Sequence, residues 1–263
     1  MSTSNTSTSR ASITGAIKGE WIKLFGMRSN RWLIALAIIV PLLAIVIWAL
    51  NANPASSSSF DESNAVLGSV TSSLFETLVL FVLFGALVGT SEYDTRTIST
   101  TMVAVPRRWP IVVAKAVVVA VTTAIVSIVV LLVGFLLASV IVPTSAPVTL
   151  AEPGLIPALA GTALFQVCAA LISLFLGITV RSSIGAIAGA FGFFYVIPGV
   201  INLVSIPAIQ AFGHSFPGPA SDSLTVLTAP AGGLPYGVAA IALVLWTGIW
   251  LLIALRVTTR RDV

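Results

Sequence analysis

Long apolar runs, separated by short polar gaps, constrain the fold of this chain most. A helix needs about 20 mostly apolar residues to cross the hydrocarbon core of a bilayer. Six stretches meet this requirement: residues 32–50, 70–90, 111–142, 155–180, 184–204 and 236–255. Charged residues make up only 8% of the 263 residues, against roughly 25% in a typical soluble domain. The sequence therefore predicts an all-α integral membrane protein with six transmembrane helices.

The gaps between these runs alternate in charge. The 13 Lys and Arg residues lie at 10–31, 96–115, 181 and 256–261. The intervening gaps, near 51–70, 143–153 and 205–233, contain none. Membrane proteins concentrate basic residues in cytoplasmic loops, so the alternation predicts a multi-pass protein of the cell membrane with both termini in the cytoplasm. Topology explains the net charge of +4 without a nucleic-acid partner, and Lys115 is expected only to fix orientation.

Two parts of the chain do not fit a plain span. Residues 1–12 are rich in Ser and Thr, which predicts a disordered tail before a single membrane domain at 13–263. Residues 205–235 contain five prolines and a single charged residue, Asp222. Proline breaks helices, yet this stretch is too apolar for a solvated loop. We expect a re-entrant or interfacial element here, on the outer side of the membrane.

The stretch before the first span has the periodicity of an amphipathic helix. Apolar residues recur at helical spacing, at Ile13, Ile17, Trp21, Leu24 and Phe25. Lys18 and Lys23 flank this stripe, and tryptophan favours the headgroup level of a bilayer. These features predict a helix that lies along the inner membrane interface and ends near residues 27–30. The alternative is an ordinary basic flank that orients the first span.

The connection at residues 91–110 is the most specific stretch of the sequence. Ser91 and Asp94 have the spacing of a capping box, which predicts a helix that begins at Ser91. Glu92 and Asp94 would lie in its first turn, where carboxylates complement the helix dipole, and Pro106 would end it. A capped and charged helix between two spans indicates a docking surface for a soluble partner. A solvated charged loop is the alternative.

This connection resembles that of a known family. Residues 90–97 read Thr-Ser-Glu-Tyr-Asp-Thr-Arg-Thr, and residues 106–108 read Pro-Arg-Arg. They are similar to the Gly-Glu-Tyr/Phe-x-x-Gly-Thr and Pro-x-Arg pattern between the second and third spans of type-2 ABC exporter permeases. Residues 20–23, Glu-Trp-Ile-Lys, resemble the Glu-x-x-Lys element of the family's elbow helix. Ser91 and Arg96 stand where the family commonly has glycine.

The resemblance implies a permease subunit of an ATP-driven exporter. Its coupling helix would contact a separate ATPase subunit through Glu92, Tyr93, Asp94, Arg96, Thr97, Arg107 and Arg108. The elbow helix would include Glu20, Trp21 and Lys23. The sequence lacks the G-x-x-x-x-G-K-[ST] loop that cradles nucleotide phosphates. ATP and Mg²⁺ are therefore expected on the ATPase, and the permease is not expected to be an enzyme or to hold a cofactor or metal. A second copy or a sister permease is expected to enclose the path with it, surrounded by membrane lipid.

One carboxylate and several aromatic residues are candidates for the translocation path. Glu76 is the one carboxylate within an apolar run, and ionisable groups at such positions are candidates for function. Aromatic residues of the second and fifth runs are candidates for lining the route of an amphipathic substrate: Phe75, Phe81, Phe84, Phe194 and Tyr195. Helix packing or lipid contact is the alternative for them. The fifth run also contains Gly185, Gly189 and Gly192, which indicate close helix packing.

Two other function classes have weaker support. An ion- or proton-coupled secondary transporter is expected to place charges at mid-membrane, where these runs have almost none. An intramembrane metalloenzyme needs a ligand set such as H-E-x-x-H, but the chain has one His and one Cys. The exporter permease is the main prediction, and its substrate does not follow from the sequence.

Overall fold

The computed structural model of the chain describes residues 13–54, 58–94, 109–228 and 232–260. Regular structure in these ranges is entirely helical. In chain order the helices are α1 (Ile13–Gly26), α2 (Arg28–Asn51), α3 (Ser59–Ser72), α4 (Leu74–Asp94), α5 (Trp109–Ile141), α6 (Leu155–Val180), α7 (Ser183–Phe191), α8 (Ile197–Asn202), α9 (Pro207–Gly213), α10 (Pro217–Leu224) and α11 (Tyr236–Arg260). A π-helical turn, Gly192–Val196, joins α7 to α8.

Six stretches of the described helices are long and apolar enough to cross a membrane. They are Arg28–Asn51, Phe60–Ser91, Trp109–Ile141, Leu155–Val180, Ser183–Asn202 and Tyr236–Thr259. The all-α class and the six candidate spans are thus confirmed. Most bounds agree with the predicted runs within a few residues, but the second stretch begins ten residues earlier than the predicted run at 70–90. That extension contains most of α3.

Helix α3 lies where the sequence suggested a simple gap between spans. Ser58 begins it as an N-cap, because its Oγ accepts a hydrogen bond from the backbone N–H of Asp61 at 3.2 Å. Glu62 then accepts two hydrogen bonds from Ser145, from the backbone N–H at 2.8 Å and from the hydroxyl at 2.6 Å. The buried face of α3 comprises Val66, Leu67 and Val70. Helix α3 therefore covers the ends of α2 and α5, which it contacts.

Helices α4 and α6 make the most extensive contact in the bundle. Gly85 and Gly89 of α4 face the backbone of α6, and a Cβ atom at Gly85 would overlap the carbonyl oxygen of Ala170. Gly177 of α6 lies opposite Gly89, where a Cβ atom would be 3.2 Å from the glycine Cα. Small residues let two helix backbones approach closely in a membrane. The Gly85-x-x-x-Gly89 spacing therefore explains the central helix pair of the fold.

The helices alternate in direction, so that the basic residues collect at one end of the bundle. This basic end holds every described Lys and Arg: Lys18, Lys23, Arg28, Arg31, Lys115, Arg181, Arg256 and Arg260. Arg181 makes the tight turn from α6 to α7 with a left-handed backbone, at φ 58°. Next to this turn, the hydroxyls of Thr90 and Ser183 are 2.7 Å apart, so that α4 ends beside the start of α7.

The opposite end of the bundle is built around α9 and α10. These two short helices occupy the stretch 205–235, with residues 229–231 outside the described ranges. A Cβ atom at Gly218 of α10 would overlap the carbonyl oxygen of Phe194, and one at Gly161 of α6 would overlap that of Leu224. Helix α10 is therefore wedged between α6 and the π-helical turn. The prediction that this stretch is too broken for one long helix is confirmed.

An aromatic cluster, defined as Phe193, Phe212, Phe216, Trp246 and Trp250, binds this end to α11. Ring centroids of neighbouring members lie 4.8–6.4 Å apart. Trp246 also donates its indole N–H to the carbonyl oxygen of Ser215 at 2.9 Å. The cluster joins three parts of the chain: the π-helical turn, the α9–α10 connection and α11.

Candidate functional site

The basic end contains a junction that is lined by α1, α2 and the two helices that adjoin residues 95–108. The chain leaves α4 at Asp94 and returns in α5 at Trp109. A small cavity between α1, α2, α4 and α5 is lined by Glu20, Lys23, Leu24, Met27, Asn30, Val88, Ser91, Lys115 and Val118. We call these residues the basic-end junction. Val88 and Ser91 belong to α4, and Lys115 and Val118 belong to α5, so both helices that adjoin residues 95–108 line the cavity.

An ion pair that includes a buried lysine forms the centre of the basic-end junction. Glu20 Oε2 lies 3.0 Å from Lys115 Nζ, and Glu20 Oε1 lies 3.3 Å from Lys23 Nζ. The Lys115 side chain is 5% exposed and that of Glu20 is 12% exposed. The prediction that Lys115 only fixes orientation is therefore wrong, because its ammonium group is buried against a carboxylate of α1. A charge that is withdrawn from water in this way needs its partner.

Helix α1 matches the predicted position and is broken from α2 at Met27. Asn30 bridges the break, because its Nδ2 donates to the carbonyl oxygen of Leu24 at 3.2 Å. Leu24 packs in the core, whereas Trp21 and Phe25 are each 38% exposed, with ring centroids 5.0 Å apart. The predicted apolar stripe thus divides into a face toward α5 and an exposed aromatic edge.

Only part of the predicted coupling segment lies within the described residues. Glu92, Tyr93 and Asp94 form the last turn of α4. Arg96, Thr97, Arg107 and Arg108 lie outside the described residues, and their roles stay predictions. The prediction that a new helix begins at Ser91 is wrong, because α4 continues through Ser91 and its hydroxyl donates to the carbonyl oxygen of Val88 at 3.2 Å. An N-cap residue has a non-helical backbone, and the apolar run before Ser91 instead propagates the helix.

The candidate path residues divide between the interior of the chain and its surface. Phe81, Phe84 and Phe194 are at most 3% exposed and pack in the hydrophobic core of this chain. Phe75 and Tyr195 are 58% and 43% exposed, and their ring centroids are 6.4 Å apart. They lie in α4 and the π-helical turn, so the structure brings the second and fifth candidate spans together at this surface.

Glu76 follows Phe75 and occupies an unusual environment. Its Oε2 atom is buried and has no hydrogen-bond partner among the described residues. All described Lys and Arg residues lie at the other end of the bundle, so no described Lys or Arg of this chain can neutralise it. A buried carboxylate oxygen without a partner is costly. Glu76 as a whole is half-buried, so part of the residue lies at the surface of the chain.

Within the π-helical turn the chain changes from buried to exposed side chains, because Phe193 and Phe194 are buried, whereas Tyr195 and Val196 are exposed. A π turn inserts one residue into the helical register, and such turns are frequent at functional sites. Phe193 and Phe194 point into the core, and Tyr195 is exposed beside Phe75. This feature was missed from the sequence, where the run Gly-Phe-Phe-Tyr-Val shows no signal of a changed hydrogen-bond pattern.

Asp222 of α10 is the one described carboxylate in the stretch 205–235. Desolvation raises the pKa of Asp222 above its ordinary value, and the charge of the nearby His214 acts in the opposite direction. Within the residues that the structure describes, no group of three His, Cys, Asp or Glu side chains could share a metal ion.

A comparison with protein families places the chain in a family of membrane transporters. The family model described as "ABC-2 family transporter protein" matches residues 16–199. The matched region extends from α1 into α8, and it includes the basic-end junction and five of the six candidate spans. No curated protein matches the chain. Because the family model covers more than half of the sequence and the structure has six apolar helices of membrane-spanning length, the chain belongs to the ABC-2 family of transporter permeases.

Proposed function

We propose that this permease is the membrane subunit of an ATP-driven exporter and that a separate subunit binds ATP and Mg²⁺. The observation that carries this proposal is the convergence at the basic-end junction. Helix α5 contacts α1 there through the Glu20–Lys115 pair, and α4 lines the same small cavity through Val88 and Ser91. A docking segment placed between two gating helices is what a permease needs to receive a movement from outside the bilayer.

The contact with the ATPase is proposed to lie at residues 91–110. Glu92, Tyr93 and Asp94 extend α4 past its apolar part, and Arg96, Thr97, Arg107 and Arg108 follow before α5. Helix α4 runs without interruption from Leu74 to Asp94, a length of about 30 Å at 1.5 Å per residue. A displacement at Asp94 would therefore move Phe75 and Glu76 at the opposite end.

The basic end is proposed to face the cytoplasm, which is the orientation that the positive-inside rule favours. Helix α1 would then serve as an elbow helix at the inner membrane interface. Its exposed Trp21 and Phe25 suit the headgroup level. The α9–α10 stretch would lie on the outer side, in a single membrane domain at 13–263 that follows the tail at 1–12.

The translocation path is proposed to lie between this chain and a second permease, either another copy or a sister subunit. A carboxylate such as Glu76 is unfavourable against lipid, so its surface needs protein or water opposite it. Phe75 and Tyr195 flank the same surface. The buried Phe81, Phe84 and Phe194 would support these residues from within the chain.

Co-purification tests the proposal directly. The tagged permease is expressed in its native host, purified in mild detergent together with the proteins bound to it, and reconstituted into liposomes. A stable complex with vanadate-sensitive ATP hydrolysis is the expected result. The control is a complex whose ATPase carries a substitution in its phosphate-binding lysine. Recovery of the folded permease without any ATPase, or a complex that does not hydrolyse ATP, would show that the proposal is wrong.

A further inference from the structure

The Glu20–Lys115 pair connects two helices that are far apart in sequence. Lys115 is the seventh residue of α5 and lies less than two helical turns after residues 95–108. Glu20 lies in α1, one short break before α2, which is the first candidate span. The pair therefore joins the helix that follows the proposed ATPase contact to the helix that precedes the first span.

Burial of the Lys115 ammonium group makes independent movement of α5 and α1 unfavourable. A lysine near the end of a membrane helix commonly extends its ammonium group to the headgroup region. Lys115 is instead 5% exposed, and its Nζ lies 3.0 Å from Glu20 Oε2. If α5 moved without α1, the buried ammonium group of Lys115 would lose its contact with this carboxylate, at a cost in free energy, whereas Glu20 would keep its contact with Lys23 of its own helix. The two helices are thus favoured to move together.

A second contact extends the connection from α1 to α2. The side chain of Asn30, which is 6% exposed, donates to the carbonyl oxygen of Leu24 across the break at Met27. This bond satisfies a carbonyl group at the end of α1, which lacks a helical partner. It also fixes the angle between the two helices. Helix α1 therefore has one buried polar contact toward α5 and another toward α2.

We propose that Glu20 is a positioning residue that makes α1 follow α5, so that movement of the ATPase contact also reaches the first span. This inference rests on the proposed function, because it assigns a route to movement that the ATPase supplies. The route runs from α5 through Lys115 and Glu20 to α1, and through Asn30 to α2. The alternative is a purely structural ion pair, which stabilises the fold and has no effect on nucleotide-dependent movement.

The test measures movement of α2 in the complete complex with its ATPase. Spin labels are placed at Leu50→Cys in α2 and Ile156→Cys in α6, two positions that are 69% and 59% exposed. The buried Cys168 is replaced by Ala. Labelled copies are diluted with unlabelled ones, so that electron–electron resonance reports the distance within one chain. The distance is compared without nucleotide and with ATP plus vanadate.

The expected result is a nucleotide-dependent shift in the parent protein that is lost in Glu20→Gln, although vanadate still traps nucleotide. Lys18→Gln is the matched control, because it alters one charge on an exposed face of α1 and is expected to keep the shift. Absence of the shift in a parent complex that hydrolyses ATP would overturn the inference, and so would a full shift in Glu20→Gln. If the proposed function is wrong, the parent protein fails to bind an ATPase subunit or to hydrolyse ATP, and this result appears before any distance is measured.

If the Glu20→Gln variant does not assemble with the ATPase, a charge swap between positions 20 and 115 tests the inference instead. The double variant Glu20→Lys with Lys115→Glu restores opposite charges at the two positions. Assembly with a recovered shift supports the inference. Assembly without the shift overturns it. A swap that does not assemble shows that these two residues are needed for folding in their native arrangement, which overturns a role in transmission.

Discussion

At the basic end, α1 and α5 meet through the charged pair Glu20–Lys115, whereas at the opposite end α6, α10 and α11 meet through glycines and aromatic rings. A charged pair joins two helices through their side chains and leaves their backbones free to shift together. Backbone contact at Gly161 and Gly218 leaves no room for adjustment. The basic end is therefore suited to receive a movement, and the opposite end is suited to keep its shape while it is carried along.

The largest stability effect is expected from removal of the aromatic ring that the other rings surround. Phe193 is 6% exposed and contacts the rings of Phe216, Trp246 and Trp250. Phe193→Ala should lower the free energy of unfolding by about 3 kcal/mol, because it leaves a cavity. Thermal unfolding in detergent measures the change. Phe60→Ala is the control, since Phe60 is 51% exposed. Equal melting temperatures for the two variants would contradict a rigid opposite end.

The next largest effect is expected from a methyl group at the contact between α10 and the π-helical turn. Gly218→Ala places its Cβ atom against the carbonyl oxygen of Phe194. Overpacking of this kind should cost about 2 kcal/mol. Gly199→Ala makes the same chemical change where no atom lies within 4 Å, and it should be neutral or slightly stabilising. The comparison is read from the melting temperatures, and a tolerated Gly218→Ala would mean that α10 can move.

A functional effect without a stability effect is expected at the basic end. Glu92→Lys with Asp94→Lys reverses two charges in the last turn of α4. Coupled ATP hydrolysis in the complex should fall about tenfold, within the range by which residues on a coupling route act. The uncharged variants Glu92→Gln with Asp94→Asn should fall less. The melting temperature should not change in either case. A loss of folded protein would instead make these residues part of the structural core.

The sequence predicted those parts of the fold that depend on local patterns. The six candidate spans follow from hydropathy over about 20 residues, and α1 follows from the 3.6-residue period of its apolar residues. Helix α3 was overlooked because Ser59–Ser72 is too polar to be read as a span, although Ser58 and Asp61 carry a local capping signal.

Contacts between distant parts of the chain were beyond sequence reasoning. Glu20 and Lys115 are separated by 95 residues, and no local pattern pairs them. The sequence also indicated close packing at three glycines of the fifth span. A Cβ atom at Gly185 would lie 2.7 Å from Val180 and one at Gly189 would lie 3.6 Å from Leu176, whereas one at Gly192 would meet no atom within 4 Å. A closer backbone contact is made instead by Gly85 of the Gly85-x-x-x-Gly89 motif, against α6. Motifs of small residues indicate close helix packing, but only the tertiary structure shows which motif forms the close contact.

The smallest predicted change in stability distinguishes the contribution of one hydrogen bond from that of ring packing in the aromatic cluster. Trp246 and Trp250 both contact Phe193, with centroid distances of 5.0 Å and 5.6 Å. Trp246 donates its indole N–H to Ser215, whereas the indole N–H of Trp250 is buried without a partner among the described residues. Trp246→Phe should therefore cost about 1 kcal/mol more than Trp250→Phe, the net value of one hydrogen bond. Thermal unfolding of the two variants gives this difference directly. If the two melting temperatures agree, the hydrogen bond to Ser215 does not stabilise the contact between the α9–α10 connection and α11, and ring contacts alone hold that connection to α11.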